Sequence, residues 1–150
     1  MISKILVATD GSEVAVKAVK FGIDLAKQLG TEIILLSVVE KWPPLSPPIP
    51  GEVTPTSIEE PPEDFLKEAA ELSLREGEKL GDRKGVQLKK VIREGDPVEE
   101  IIKEAEESKA DLIVMGSHGK SALGAALLGS VTNGVIYSKD TQIPALVVRR

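Results

Sequence analysis

The sequence predicts an open, parallel α/β sheet of five strands with helices on both faces. Apolar runs of four to seven residues recur along the chain, and segments with helical spacing of apolar residues separate most of them. Such runs are typical of parallel strands that are buried on both faces. The order β-α-β-α-β-α-β-α-β is most simply folded as one sheet with right-handed crossovers. The 150 residues fit one domain, because no linker divides them.

The first half of the chain reads as a β-α-β unit. Residues 5–8 form an apolar strand, and residues 9–13 supply turn and helix-capping side chains. Residues 33–39 form a second buried strand. The helix between the two strands ends at Gly30, and its apolar residues recur at helical spacing: Ala18, Phe21, Gly22, Leu25 and Leu29.

The second half contains the remaining three strands. Eight of the ten prolines fall between residues 41 and 62, which predicts an extended surface loop. A helix with a weak apolar stripe follows at about residues 62–81, and residues 86–92 alternate in the manner of an edge strand. Asp96 and Pro97 are the expected N-cap and first residue of the third helix. The last elements are a buried strand, a short helix and a final strand, at residues 112–115, 130–138 and 145–148.

Composition excludes several classes of function. The net charge of −5 argues against a nucleic-acid or anionic-membrane binder, since both need a basic surface. The absence of cysteine excludes disulfides, zinc–thiolate sites and thiol catalysis. The apolar run near Met1 is too short for a signal peptide or a membrane span, so we expect a cytoplasmic protein.

A glycine-rich segment from residue 116 to residue 130 has the features of a phosphate-binding loop. Gly116 and Gly119 follow a buried strand, and Gly129 and Ser130 precede a helix. In open α/β sheets, ligands bind beyond the carboxyl ends of the strands, where glycine lets backbone N–H groups approach a phosphate. Backbone donors carry no formal charge, so an acidic protein can use them.

Two familiar phosphate-binding signatures do not match. The Walker A loop requires a glycine five positions before Gly119, but that position is Val114, within the strand. The dinucleotide fingerprint requires three clustered glycines after the first strand, where this chain has only Gly11. The spacing that is present is Gly-x2-Gly-x9-Gly-Ser.

With this spacing, the sequence resembles the ATP-binding branch of the universal stress protein family. The resemblance extends over nearly the whole chain, including residues 5–12, 111–119, 129–131 and 143–148. It implies a Rossmann-like fold of the adenine nucleotide alpha hydrolase type, with strand order 3-2-1-4-5. It also implies bound ATP, or ADP or AMP, with Mg²⁺ or Mn²⁺ as a possible companion.

The resemblance implies roles for individual residues as well. Gly119, Gly129 and Ser130 would hold phosphates, and Val131 would add a backbone N–H. Asp10 would approach the ribose or a phosphate-bound divalent cation. The base would border Ala8 (proline in many relatives), Thr9 and the backbone of Val38. The nucleotide-contacting set is completed by Met115, Gly116, His118 and Thr132.

Structural explanations remain open for these residues. The glycines could mark turns alone, Asp10 and Ser12 could simply cap the following helix, and Ser130 could be a plain N-cap. His118, the only histidine, is better explained as a loop residue beside the ligand than as a general base. Lys120 and the glutamate-rich stretch 59–78 are best explained as solvated surface.

We expect a regulatory nucleotide-binding protein with little catalysis, because no hydrolytic set of residues is recognisable. The alternatives are a slow ATPase that uses Asp10 with a divalent metal ion, and an interaction module whose loop binds nothing. The final strand, Ala145–Val148, is apolar and should lie at a sheet edge. The family resemblance implies that two copies form a homodimer through this strand.

Overall fold

Five parallel strands form a single sheet in the order β3-β2-β1-β4-β5 in the computed structural model. The structure describes residues 1–41, 63–119 and 128–150. The strands are β1 (Lys4–Ala8), β2 (Glu32–Glu40), β3 (Leu88–Gly95), β4 (Leu112–Gly116) and β5 (Ala145–Val148). The helices are α1 (Glu13–Leu29), α2 (Glu63–Lys84), α3 (Pro97–Glu107) and α4 (Ser130–Ile136). The predicted fold class and strand order are therefore confirmed.

Side chains that alternate along the buried strands divide the core between the two faces of the sheet. In β1, Ile5 and Val7 contact the cluster that includes residues of α1 and α2. Leu6, between them, contacts the opposite cluster, which contains residues of α3 and α4. All three side chains are fully buried. The long apolar runs are thus explained by helices that cover both faces.

Helix termini follow the capping residues of the sequence. The Ser12 side chain accepts a hydrogen bond from the backbone N–H of Ala15 and is the N-cap of α1. Gly30 ends this helix in the left-handed conformation, with φ of 66°. Asp96 caps α3 as predicted, because its side chain accepts from the backbone N–H of Glu99.

The predicted apolar stripe of α1 is wrong at two positions. Phe21 and Leu29 are exposed, whereas the side of the helix that packs on the sheet is made mainly of small residues. Gly22 lies so close to Val7 that an added Cβ would be 2.7 Å from a Val7 methyl carbon. The buried residues are Val14, Ala15, Ala18, Val19, Gly22, Ile23 and Ala26.

The edge strand β3 is joined to α3 by a cluster of charged side chains. The Arg93 guanidinium donates to Glu104 at 2.8 Å, to Glu100 at 3.0 Å and to Glu107 at 2.5 Å. Burial of the guanidinium lowers its pKa, but the hydrogen bonds to the three glutamates outweigh this effect and raise the pKa overall. Glu100 and Glu104 keep only 14% and 11% of their side chains exposed and are largely shielded from water, whereas Glu107 is 67% exposed.

The proline-rich stretch falls almost entirely at residues 42–62, outside the described residues. Within the described ranges, no helix combines the length and the apolar character that a membrane crossing requires. The helix predicted at residues 62–81 is observed as α2 and continues three residues further, to Lys84.

Candidate functional site

The carboxyl ends of β1 and β4 lie side by side at the point where the strand order reverses. β1 pairs with β2 on one side and with β4 on the other. From β1 the chain continues to β2, whereas from β4 it continues to β5, in the opposite direction across the sheet. Adjacent loops diverge at such a switch point and leave a crevice between them. The two loops here begin at Thr9 and at Ser117.

The turn after β1 is held by its own side chains. The Thr9 N–H donates to the Leu36 carbonyl at 2.9 Å, and the Thr9 hydroxyl accepts from the Gly11 N–H at 3.2 Å. Asp10 Oδ1 accepts from the Ser12 N–H at 2.9 Å. Asp10 is exposed and is not the N-cap of α1, since that role belongs to Ser12. The capping explanation for Asp10 is therefore wrong.

Asp10 lies next to the second glycine of the loop. A Cβ added at Gly119 would be 2.5 Å from Asp10 Oδ2. Any larger residue at position 119 would displace the carboxylate. The glycine thus brings the backbone after β4 against the carboxylate after β1, although 109 positions separate the two residues.

Gly116, the last residue of β4, contacts the first turn of α1. An added Cβ there would be 2.8 Å from a Val14 methyl carbon and 3.2 Å from the Val14 carbonyl carbon. Because backbone atoms cannot rotate away, only glycine lets α1 begin this close to the strand end.

Gly129 packs against the backbone on the other side of the loop. An added Cβ would be 2.9 Å from His118 Cα and 3.4 Å from the Gly119 nitrogen. The Gly129 N–H donates to the Ser117 carbonyl at 2.8 Å. Gly129 is the N-cap of α4 and has no side chain with which to cap it. The capping explanation for Ser130 is therefore wrong, since Ser130 is the first helical residue, with an exposed side chain.

The remaining predicted residues lie at the carboxyl ends of the strands and on α4, and they are buried to different degrees. Ala8 and Val38 are half-buried at the carboxyl ends of β1 and β2, and Val131 is half-buried on α4. Met115 and Thr132 are buried, with 4% and 3% of their surface exposed. The Thr132 hydroxyl donates to the Gly116 carbonyl at 2.8 Å, so its proton is directed into the protein.

Ser117 belongs to the site although the sequence interpretation assigned it no role. Its hydroxyl is 3.1 Å from His118 Nδ1, and its N–H donates to the Val148 carbonyl of β5 at 2.9 Å. Its position between Gly116 and His118 was the signal that would have found it. Lys120 and Gly124 lie outside the described residues.

The described part of the chain offers no preformed metal site. Among residues 1–41, 63–119 and 128–150, no group of three or more histidine, aspartate or glutamate side chains is arranged to hold a metal ion. Asp10 is the acidic side chain that lies against the glycine loop.

Comparison with known proteins identifies the family. The sequence model of the universal stress protein family matches residues 1–149. The chain belongs to the universal stress protein family. A relative of the same family, universal stress protein MJ0531 of Methanocaldococcus jannaschii, is 37% identical over 150 residues, which cover 100% of this chain and 84% of the relative.

Solved structures of universal stress proteins share the fold. The structure of MJ0577 from Methanocaldococcus jannaschii has a TM-score of 0.71 and 34% identity, and the match covers 100% of this chain and 97% of that one. A universal stress protein solved in complex with cAMP has a TM-score of 0.70 and 25% identity, with 98% and 97% of the two chains covered. The predicted family is therefore confirmed.

Proposed function

We propose that this universal stress protein binds an adenine nucleotide, with ATP as the first candidate, in the crevice between the carboxyl ends of β1 and β4. The observation that carries the proposal is the convergence of Asp10, Gly119 and Gly129 at the switch point. Gly119 lies against the Asp10 carboxylate, and Gly129 lies against the backbone of residues 118 and 119. The sheet topology thus joins an acidic side chain to a bare peptide surface at the place where such folds bind ligands.

Peptide N–H groups are the phosphate donors in this proposal. None of the three loop glycines that the structure describes, Gly116, Gly119 and Gly129, is among the glycines with positive φ. Left-handed turns therefore do not explain them, and close approach of backbone segments does. The same close approach, with no side chain in the way, suits a backbone that must come near a phosphate.

Ser130 supplies a side-chain donor next to these peptides. Its side chain is exposed at the start of α4, and no capping role occupies it. Together with the N–H groups of Gly119 and Val131, its hydroxyl would bind a phosphate without any cationic side chain. This fits an acidic protein, in which attraction of a polyanion must be local.

The other half of the ligand would lie toward β1 and β2. Ala8 and Val38 offer half-buried apolar surface for the base, and Asp10 offers carboxylate oxygen to a ribose hydroxyl or to nucleotide-bound Mg²⁺ or Mn²⁺. The cAMP complex of a relative with 25% identity supports an adenine nucleotide as the ligand class.

Calorimetric titration of the protein with Mg-ATP, ADP and AMP tests the proposal. We expect saturable binding, and we expect Ser130→Ala to lose one hydrogen bond to a charged group, about 1.5–3 kcal/mol, which is roughly 10- to 100-fold in Kd. Ser108→Ala is the matched control, because it removes a hydroxyl at the end of α3, next to Lys4 at the amino end of β1 and away from the carboxyl ends of the strands. Absence of binding at millimolar Mg-ATP would overturn the proposal.

Product analysis separates binding from hydrolysis. The Asp10 carboxylate beside Gly119 is the observation that keeps a slow metal-dependent ATPase as the second candidate. Release of phosphate from ATP that co-purifies with the protein and disappears in Asp10→Asn would favour the ATPase. Stable ATP in the presence of the protein would favour a regulatory nucleotide binder.

We also propose that two copies associate through β5. This strand is the last in the sheet order, and its four residues are only partly buried. Ile136 and Tyr137, at the end of α4, are 40% and 79% exposed. An unpaired apolar edge of this kind favours pairing with another strand. Sedimentation at micromolar concentration should give twice the 16.0 kDa of the chain, and a monomer there would contradict the proposal.

A further inference from the structure

Two hydrogen bonds close the glycine loop at its base. The Gly129 N–H donates to the Ser117 carbonyl, and the Thr132 hydroxyl donates to the Gly116 carbonyl, each at 2.8 Å. Both bonds join the end of β4 to the start of α4. We call this pair of contacts the loop neck. The neck holds together the two ends of a segment that spans residues 117–129.

The residues that form the neck are fixed from several sides. Gly116 packs against Val14 of α1, and the Ser117 N–H pairs with Val148 of β5. Thr132 is 3% exposed, so its hydroxyl is shielded from water. A buried hydrogen bond of this kind is costly to lose, because its carbonyl acceptor would remain unsatisfied.

The direction of the Thr132 hydroxyl determines what this residue can do. Its proton is committed to a backbone carbonyl, and its side chain lies beneath the loop. The neighbouring Ser130 side chain, two residues earlier, is exposed. The two hydroxyls at the start of α4 therefore have different roles: one faces solvent and the other faces β4.

We propose that Thr132 is a positioning residue that closes the loop neck and thereby fixes the N–H groups of Gly119, Ser130 and Val131, without touching the ligand itself. The effect of Thr132 on nucleotide affinity rests on the proposed function, whereas closure of the neck by Thr132 does not. Without the Thr132 bond, α4 can shift relative to β4, and the donors on the two sides of the neck no longer hold a fixed separation. Phosphate binding depends on that separation, and binding of a base or ribose does not.

Two variants separate the hydroxyl from the shape of the side chain. Thr132→Val keeps the branched shape and removes the hydroxyl, and Thr132→Ser keeps the hydroxyl. The first measurement is amide hydrogen exchange in the absence of nucleotide. We expect the Gly129 amide to exchange roughly 5- to 30-fold faster in Thr132→Val, the factor that corresponds to one lost buried hydrogen bond. Thr132→Ser should exchange at nearly the original rate, and amides of the central strand β1 should be unchanged in both.

The second measurement compares ligands with and without phosphate. In Thr132→Val we expect the Kd for Mg-ATP to rise by roughly 5- to 30-fold, and the Kd for adenosine to stay unchanged. Thr132→Ser should restore ATP binding. A residue that serves only global stability would lower the Tm without separating ATP from adenosine.

The outcomes are distinguishable. If the Gly129 amide exchanges at an unchanged rate in Thr132→Val, Thr132 does not close the loop neck. The same conclusion follows if the β1 amides exchange faster by an equal factor, because that indicates global loosening. Faster exchange of the Gly129 amide with an unaltered Kd for ATP would show that closure of the neck by Thr132 does not control nucleotide affinity. If the original protein binds no nucleotide, the proposed function fails, and the exchange measurement still decides whether Thr132 closes the neck.

Discussion

Replacement of Gly129 by alanine is the most direct test of the close approach that builds the site. The backbone of Gly129 has φ of −61° and ψ of 157°, a conformation that alanine adopts without strain. Any loss of stability must therefore come from contacts of the added methyl group, and it is opposed by about 0.4–1 kcal/mol gained from the less flexible unfolded chain. That group would be 2.9 Å from His118 Cα, 3.3 Å from His118 Cβ and 3.4 Å from the Gly119 nitrogen.

The size of the effect follows from these contacts. Ordinary contacts of a Cβ begin near 3.4 Å, so the backbone at His118 must move by about half an ångström. Backbone atoms cannot rotate out of the way, and overpacking of this kind typically costs about 1–3 kcal/mol. For a chain of this length, this corresponds to a fall in Tm of roughly 2–12 °C. The shift also separates Gly129 from the Ser117 carbonyl, so we expect about a tenfold loss of affinity for Mg-ATP, or about 1.4 kcal/mol.

Thermal unfolding and calorimetric titration measure the two effects on the same samples. The matched control is Gly81→Ala, within α2, where an added Cβ comes no closer than 3.4 Å to any neighbour. Helix propensity favours alanine there by about 0.8–1 kcal/mol, so the control should be as stable as the original protein or more so. If Gly129→Ala unfolds at the original temperature and binds ATP with the original affinity, the close packing at the neck does not constrain the site.

Two further predictions concern stability. Arg93→Ala should destabilise the fold by about 3–5 kcal/mol in urea unfolding, because it removes the guanidinium that compensates the shielded Glu104 carboxylate. Lys103→Ala should change the stability by less than about 1 kcal/mol, because Lys103 is 57% exposed and its partner Glu100 keeps the bond from Arg93; equal effects would contradict the reasoning. The pKa of Asp111 is lowered by hydrogen bonds from the Ser3 N–H and hydroxyl and from the Lys4 N–H. The stability that ionised Asp111 adds to the fold is therefore present above the ordinary pKa of 3.8, and it is lost as the pH falls through the lower pKa of the folded state. Asp111→Asn should therefore lower stability at pH 7, and the difference from the original protein should narrow below pH 3.8 in urea titrations; a difference independent of pH would count against this explanation.

The sheet could be predicted from the sequence because its strands are buried on both faces. The runs at β1, β2 and β4 contain almost only apolar residues, and few other structures explain such runs when helical segments separate them. The prediction failed on α1 at two positions because helical spacing alone does not determine how deeply each residue is buried. Phe21 and Leu29 fit the helical period but are 44% and 47% exposed, whereas the helix packs on the sheet through Gly22, its alanines and Ile23.

The site could be predicted only in part, because its parts come from distant segments. Glycine spacing identified the loop, and the family resemblance pointed to Asp10. The contact between Asp10 and Gly119 depends on the pairing of β1 with β4. Capping was assigned to Asp10 and Ser130 as an alternative because both residue types are good caps. The cap of α1 is Ser12, the other capping candidate at that helix, as its residue type predicts. The N-cap of α4 is Gly129, which is fixed by close packing against His118 that residue preferences do not encode.

The glycine spacing itself acquires a physical explanation from these contacts. Gly116 admits the first turn of α1, Gly119 admits the Asp10 carboxylate, and Gly129 admits the backbone of His118. Each glycine removes a side chain from a different contact, so the three positions are not interchangeable. A methyl group should therefore be tolerated better at Gly119, where the Asp10 side chain can rotate away, than at Gly116 or Gly129, where backbone atoms stand in its place.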